Sequence, residues 1–420
     1  QRQMCIRDRI NTSLSDVDLC SVHFSDNYNG WAVGASGTIL HTDTGGEDWE
    51  SQESGITDDL TSVFFIDNSL GWATCNNNII VKTIDGGSTW DIQEFEEDYA
   101  LNTIFFVDAE NGWIAGTLGG DGIILHTNDS GISWNIQWNG LSSSYDVLHD
   151  ITFVDSYYGW ASGGEAFYSA SLGVILYTND GGQTWIENTG GEIWGMVMSV
   201  FFTDVQSGWA IVEERGYSCI IHTSDGGQNW NTIENIEGAI GSIFFTDEIN
   251  GRIIGGGVYI DGIYSKIFVT SDGGTTWSPQ YCPADFDMKS IYFSDPDNGW
   301  SVGNNGTILY LDNSGPVEID EFEVQCSDVK VEVYPNPCLS ATNIQFTIHP
   351  STSSGQANSR FTIIDLFDIS GRKIRQLVNE VKMPGKYEIE VDVNDLPAGI
   401  YYFRIKAGDM VGGGKMVKME

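Results

Sequence analysis

Apolar and polar positions alternate along this chain in short runs, each closed by glycine, asparagine or aspartate. Between residues 60 and 90 the pattern predicts four strands. Leu60 to Ile66 is the first, with Val63 and Phe65 in phase, and Asn68-Ser69 form a turn. Gly71-Trp72-Ala73-Thr74 begins a second strand and Asn76-Asn77-Asn78 reverse it; Ile79 to Thr83 make a third, Asp85-Gly86-Gly87 turn again, and Trp90 opens the fourth. A two-residue period rich in β-branched and aromatic residues predicts strands. Asn, Asp and Gly suit the hairpins, because they tolerate positive φ or bond their own backbone.

This unit recurs. Phe-x-Asp begins at Phe24, Phe65, Phe106, Phe153, Phe202, Phe245 and Phe293, at spacings of 41 to 49 residues, the length of a four-stranded propeller blade. A Gly-Trp pair follows at Trp31, Trp72, Trp113, Trp160, Trp209 and Trp300, with Arg252 in its place in the sixth unit. Six times a Thr then leads to a Trp seven positions later, at Trp49, Trp90, Trp134, Trp185, Trp230 and Trp277; Thr83-Ile84-Asp85-Gly86-Gly87-Ser88-Thr89-Trp90 is the clearest copy. No such unit buries both faces of its sheet alone, whereas seven in a ring do. The expected fold is all-β: a seven-bladed β-propeller, followed by a small antiparallel β-sandwich of Ig-like type.

The second domain is announced by a break in composition. Residues 1–329 hold 49 acidic and 8 basic residues, a net of −41, and residues 330–420 hold 10 and 11, a net of +1, giving the overall −40. Residues 316–328 are an acidic linker without repeat signals. Beyond it, strand-like runs at 329–333, 344–348, 361–367, 373–378, 387–393, 399–406 and 415–419 predict the sandwich.

The box resembles the Asp-box, or BNR repeat, of sialidases, sortilin-type receptors, some xyloglucan-cleaving hydrolases and photosystem II stability/assembly factors. Together with Gly30-Trp31-Ala32-Val33-Gly34 it looks most like the last group. That resemblance implies that Asp85, Asp129, Asp180, Asp225 and Asp272 close their hairpins by accepting backbone N–H bonds, and that the box Trp packs between strands. Unit one has Thr44 at the Asp position, and unit seven lacks the Trp. The C-terminal ninety or so residues are similar to the type A sorting domain of the type IX secretion system. The match is carried by Tyr334-Pro335-Asn336-Pro337, Ile344-Gln345-Phe346, Asp368 to Ile374 with Gly371-Arg372, Leu396 to Tyr402 with Gly399 and Tyr401, and Lys415-Met416-Val417-Lys418. It implies an address: the secretion machinery carries the passenger across the outer membrane, and a sortase-like peptidase removes the domain by cutting in or near the linker. Extracellular or outer-membrane-surface localisation follows.

Such an address requires a signal peptide, which is expected before Gln1; no run of 18 apolar residues that would span a bilayer occurs in the sequence. Residues 1–9, with three of the eight basic residues before position 330, fit nothing in the repeat and are expected to be a non-native scar. Unit seven has no box Trp strand, so its closing strand is expected in native residues before Ile10 that this scar replaces. Of the seven cysteines, Cys20, Cys75, Cys219, Cys282, Cys326 and Cys338 lie beyond that segment and form no Cys-x-x-Cys pair; an extracellular setting permits disulfides, and spacing leaves connectivity open.

The search for chemistry mostly excludes. Sialidases use three Arg on the substrate carboxylate, and residues 21–315 hold only Arg215 and Arg252. One carboxylate per box turn falls short of the six to eight oxygens calcium takes, so neither metal nor cofactor is expected. His41, His126 and His222 share a repeat position with Lys82, Tyr177, Val269 and Tyr310, which marks an ordinary strand site; His23 and His149 are isolated. Paired carboxylates for glycoside hydrolysis are sought among Glu94, Glu96, Glu97, Asp98, Glu187, Glu192, Glu213, Glu214, Asp285 and Asp287, and sugar-stacking aromatics among Trp138, Tyr157, Tyr158, Tyr168 and Trp194. An acidic ring repels nucleic acid and anionic membranes, and it lacks the basic patch of the photosystem assembly relatives. The function expected is non-catalytic binding or scaffolding outside the cell, toward a protein or glycan. The alternative is an extracellular glycoside hydrolase or polysaccharide-binding protein using the propeller face.

Overall fold

The computed structural model describes residues 5–7, 17–140, 146–165, 172–187, 193–214, 217–237, 241–259, 262–280, 287–312, 331–334, 336–348, 360–368, 373–407 and 410–419. Seven antiparallel sheets of four or five strands follow one another in the first unit. Blade two runs through Leu60–Phe65, Gly71–Cys75, Ile79–Thr83 and Asp91–Glu94, paired in chain order. The inner strands of the other blades start at Leu19, Tyr99, Asp146, Met196, Ser242 and Met288. Each inner strand packs on the inner strand of the next blade, and Met288–Phe293 packs on Leu19–Phe24, which closes the ring. Blade four carries an extra strand: Ile193–Trp194 pairs with the start of Leu172–Thr178, whose far end holds the short outer strand Ile186–Glu187.

In blade seven, Cys5–Arg7, part of the segment expected to be a non-native scar, forms the outer strand, with Cys5 opposite Asp312 and Arg7 opposite Tyr310. Among the described residues no box strand follows the third strand, Thr307–Asp312, and its outer backbone edge pairs with Cys5–Arg7 instead.

The main division of the chain falls between Gly315 and Pro316. The second unit has two antiparallel sheets. One is Val331–Tyr334, Ala341–Ile348 and Gly385–Asp392; the other is Lys373–Lys382, Arg360–Asp368, Gly399–Ala407 and Met410–Lys418. Ile344 and Phe346 from the first meet Ile364, Leu366, Phe403, Ile405 and Met416 from the second in one core, the expected sandwich.

Candidate functional site

The box is a turn whose Thr and Asp side chains bond within the turn itself. Thr83 Oγ1 accepts from the amides of Asp85 (3.2 Å) and Gly87 (2.8 Å) and donates to Asp85 Oδ1 (2.8 Å). Asp85 in turn accepts from the Thr89 amide at 2.9 Å and the Thr89 hydroxyl at 2.8 Å. Asp129, Asp180, Asp225 and Asp272 repeat these contacts with Ser133, Thr184, Asn229 and Thr276. Charge-assisted bonds favour the ionised form: the hydroxyl and amide of Ser133, with the Thr127 hydroxyl, hold the Asp129 carboxyl down at about 2. In blade one Thr44 serves in part, its Oγ1 accepting from the Asp48 amide at 3.0 Å.

Aromatic side chains join each blade to the next. The Trp of every Gly-Trp pair lies flat on the Phe of the following Phe-x-Asp: Trp31 on Phe65, Trp72 on Phe106, Trp113 on Phe153, Trp160 on Phe202, Trp209 on Phe245 and, across the closure, Trp300 on Phe24, with centroids 3.5–3.8 Å apart. The other side of that Phe receives the edge of its own blade's box Trp at 5.8–6.0 Å, which is where Trp49, Trp90, Trp134, Trp185, Trp230 and Trp277 sit. Glycine is required before the stacked Trp, since a β-carbon at Gly71 would lie 2.5 Å from the Phe65 ring. The Trp indoles also reach the next box: Trp31, Trp72, Trp160 and Trp300 donate to the carbonyls of Gly86, Ser130, Gly226 and Gly45. At the seam between blades six and seven the stack is replaced by the Arg252 guanidinium, 5.8 Å over Phe293, buried, with Nε unpartnered. Burial pushes that guanidinium down to about 10, against the pull of Asp247, and it stays cationic.

The shared position before the box Thr covers the outer side of the stacked Trp. His41, His126 and His222 lie 4.8–5.0 Å from Trp31, Trp113 and Trp209; Tyr177 and Tyr310 pack on Trp160 and Trp300; the Lys82 ammonium stands 5.8 Å over Trp72. His, Tyr and Lys alternate there because each packs on an indole face.

Two structural roles escaped the sequence reading. The Asp of every Phe-x-Asp caps the inner hairpin: Asp26, Asp67, Asp108, Asp155, Asp204, Asp247 and Asp295 each accept two successive backbone amides, as Asp67 does from Ser69 (2.7 Å) and Leu70 (2.8 Å). A Gln three residues after the box Trp reaches the next blade's box: Gln52, Gln93 and Gln137 donate to the carbonyls of Gly86, Ile132 and Gly181. Gly87, at φ +86°, leaves the room Gln52 fills, for a β-carbon there would lie 1.9 Å from Gln52 Oε1. The signal was a repeated Trp-x-x-Gln.

Two layers of the inner strands hold the buried ionisable groups. Residues just before the Phe of Phe-x-Asp form an aromatic belt, Phe201–Phe244–Tyr292–His23–Phe64–Phe105, with neighbouring centroids 4.4–5.4 Å apart and Thr152 in blade four. Burial pushes the His23 imidazole down to about 3 and the Tyr292 hydroxyl up to about 12, so both are neutral. Two residues earlier stand Ser21, Ser62, Thr103, Asp150, Ser199, Ser242 and Ser290. Asp150 alone is ionisable; it accepts from the amides of Ile151 and Val200 and from the Ser199 hydroxyl (2.9 Å), and burial outweighs these bonds and raises it to about 6.

The remaining candidates scatter. Glu94, Glu96, Glu97, Asp98, Glu187 and Glu214 are exposed, Glu213 and Asp287 half-buried; Glu192, Asp285, Arg215 and Tyr168 lie outside the described residues. Tyr157 and Tyr158 occupy an inner-hairpin turn at the box end of blade four, whereas Trp194 pairs with Leu172 at the opposite end, so the candidate aromatics do not share a site. Trp138 packs in the core between blades three and four. A cavity of about 550 Å³ opens between the inner hairpins of blades five and six, lined by Phe201, Thr203, Thr246 and Ile249 with Asp247 and Glu248. Among the described residues, no group of three or more His, Cys, Asp or Glu could hold a metal, no helix is long and apolar enough to cross a membrane, and Cys20, Cys75, Cys219 and Cys338 are free thiols.

In the sandwich, the first and last motifs of the sorting pattern bind one another. Asn336 accepts from the Val417 amide (2.8 Å) and donates to the Lys415 carbonyl (2.9 Å), while Cys338 exchanges backbone bonds with Val417 and Met419. Asn336 is joined to Pro337 by a cis peptide bond. The Tyr334 hydroxyl donates to Glu388, and buried Tyr401, two residues after Gly399, donates to the Pro397 carbonyl. Pro335, Gly371 and Arg372 lie outside the described residues.

Ring, boxes and sandwich together define an Asp-box propeller carrying a C-terminal sorting domain. Residues 332–419 match the family described as secretion system C-terminal sorting domain, and residues 52–139 match photosynthesis system II assembly factor YCF48. The sorting-domain match implies export by type IX secretion to the cell surface or the extracellular space, and hence interaction with that machinery. No curated protein matches the chain. Among solved structures it is similar to YCF48 bound to D1 peptide (21% identity, TM-score 0.56, covering 74% of this chain and 97% of that one). It is similar too to YCF48 from Cyanidioschyzon merolae (17%, 0.58, 72% and 98%) and to the GH74 enzyme of Niastella koreensis (10%, 0.55, 98% and 74%). At these identities the likeness speaks for the fold.

Proposed function

We propose that the chain is an exported, non-catalytic binding or scaffolding propeller whose last domain is a cleavable sorting signal. One observation carries the reading: the repeated Asp, Trp and His residues, where chemistry would first be sought, are spent on turns and seams. Box carboxylates bond their own hairpins, and tryptophans bond neighbouring blades. A rigid disk with loops at both ends suits recognition, and the likeness to a propeller solved with a bound peptide supports a protein segment as ligand. The sortase-like peptidase would cut within residues 316–328, leaving the propeller released or anchored at the outer-membrane surface.

Glycoside hydrolysis or polysaccharide binding is the second reading, favoured by the likeness to the GH74 enzyme. A glycan array and a polysaccharide hydrolysis screen on the purified chain separate the two. The binding reading predicts no turnover. Turnover abolished by a single carboxylate-to-amide change would establish the hydrolase instead.

A further inference from the structure

The propeller departs most from its repeat at one end of blades four and five. Blade four adds the strand Ile193–Trp194 there, and Leu172 and Trp194 face each other in register, 39% and 52% exposed. The chain then turns through Gly195, at φ +115°, so close to blade five that a β-carbon would lie 2.5 Å from the Glu213 carbonyl oxygen. Gly164 and Gly173 draw the two blades together from the other side: β-carbons on them would meet the Met196 backbone at 3.4 Å and a Val197 methyl at 2.7 Å. On blade five, Glu213 pairs with Met196, and exposed Glu214 pairs with Tyr217, itself 59% exposed. Most other aromatics of the repeat pack in the seams, and the exposed Tyr28 and Tyr157 stand in inner-hairpin turns.

An insertion that breaks a repeat and presents apolar surface at one end marks a binding face. Exposed Trp194 and Tyr217, with Glu214 paired to Tyr217, on a strongly acidic unit, fit a cation. Building on the binding reading above, we infer that Leu172, Trp194, Tyr217 and Glu214 form a docking platform for a lysine- or arginine-bearing segment of a partner protein. The rings take the cationic side chain, Glu214 neutralises it, and Leu172 covers its aliphatic stem.

The test is anisotropy titration of the full chain with three labelled probes: a lysine/arginine-rich octapeptide, its glutamate-rich counterpart and a neutral cellohexaose. The basic peptide is expected to bind, more weakly as salt rises. Trp194→Ala/Tyr217→Ala and Glu214→Gln should each lose about tenfold in affinity, at unchanged melting temperature, whereas Tyr157→Ala at the other end loses nothing. Tyr217→Ala alone, on an exposed ring, is the fallback if the double variant melts early. No binding of the basic peptide, or equal binding by all variants, overturns the platform; so does a Trp194-dependent preference for cellohexaose. A protein partner retained by the platform variants would sink this surface and leave the binding reading standing, whereas polysaccharide turnover would sink that reading.

Discussion

Asp129 and Asp150 are both bonded carboxylates, and their environments send them in opposite directions. Asp129 is solvated and takes bonds from two hydroxyls and an amide, so its folded value, about 2, lies below the ordinary 3.8. The stability it brings is present above pH 4 and is lost as pH falls toward 2. Asp129→Asn should flatten that acid limb, read by urea denaturation between pH 2 and 5. Asp150 is enclosed between blades four and five, and its folded value of about 6 lies above 3.8. Its contribution is complete below pH 4 and lost as pH rises to 6, beyond which the fold holds a costly charge. That shift is worth about 3 kcal/mol of stability between pH 4 and pH 7.5. The effect of Asp150→Ser, the residue at five of the equivalent positions, should therefore be more stabilising at pH 7.5 than at pH 4 by about 3 kcal/mol. Equal effects at both pH values would show that Asp150 does not titrate there.

Between elements, the seam is a Trp laid on a Phe, and in four seams the indole also bonds the next blade's box. Trp72→Ala empties a fully buried site and should cost about 3–5 kcal/mol in denaturant melts. Arg252→Trp should restore the stack on Phe293 and gain about 1 kcal/mol; a loss instead would mean that the sixth seam is built around its guanidinium. These seams were half legible. Phe-x-Asp, Gly-Trp and the box stood out as words at a fixed period, and their strands fell where alternation put them. What the words do to each other was not legible, because Trp31 meets Phe65 and Gln52 meets Gly86 only once two blades face one another. That Cys5–Arg7 would take the closing strand's place was illegible for a related reason. Cys5-Ile6-Arg7 shares nothing with a box, and an outer strand needs only backbone to pair. The ends of the blades were illegible as well: the aromatics Tyr157 and Trp194 look equivalent in the sequence and lie at opposite ends of blade four.

For the whole molecule, closure and address are separate claims. If Cys5–Arg7 completes blade seven, a chain starting at Ile10 should melt several degrees lower than the full chain, by calorimetry, because it bares the edge of Thr307–Asp312. Unchanged melting would remove that strand from the account. The address rests on the sandwich, whose first and last motifs depend on each other through Asn336. The central claim is that residues 332–419 deliver the propeller outside the cell, and export is its direct measure. In a host with type IX secretion, given a signal peptide, the full chain should reach the surface or the medium with its sandwich removed. The same chain ended at Gly315 should stay in the periplasm. Equal export of both would contradict the account.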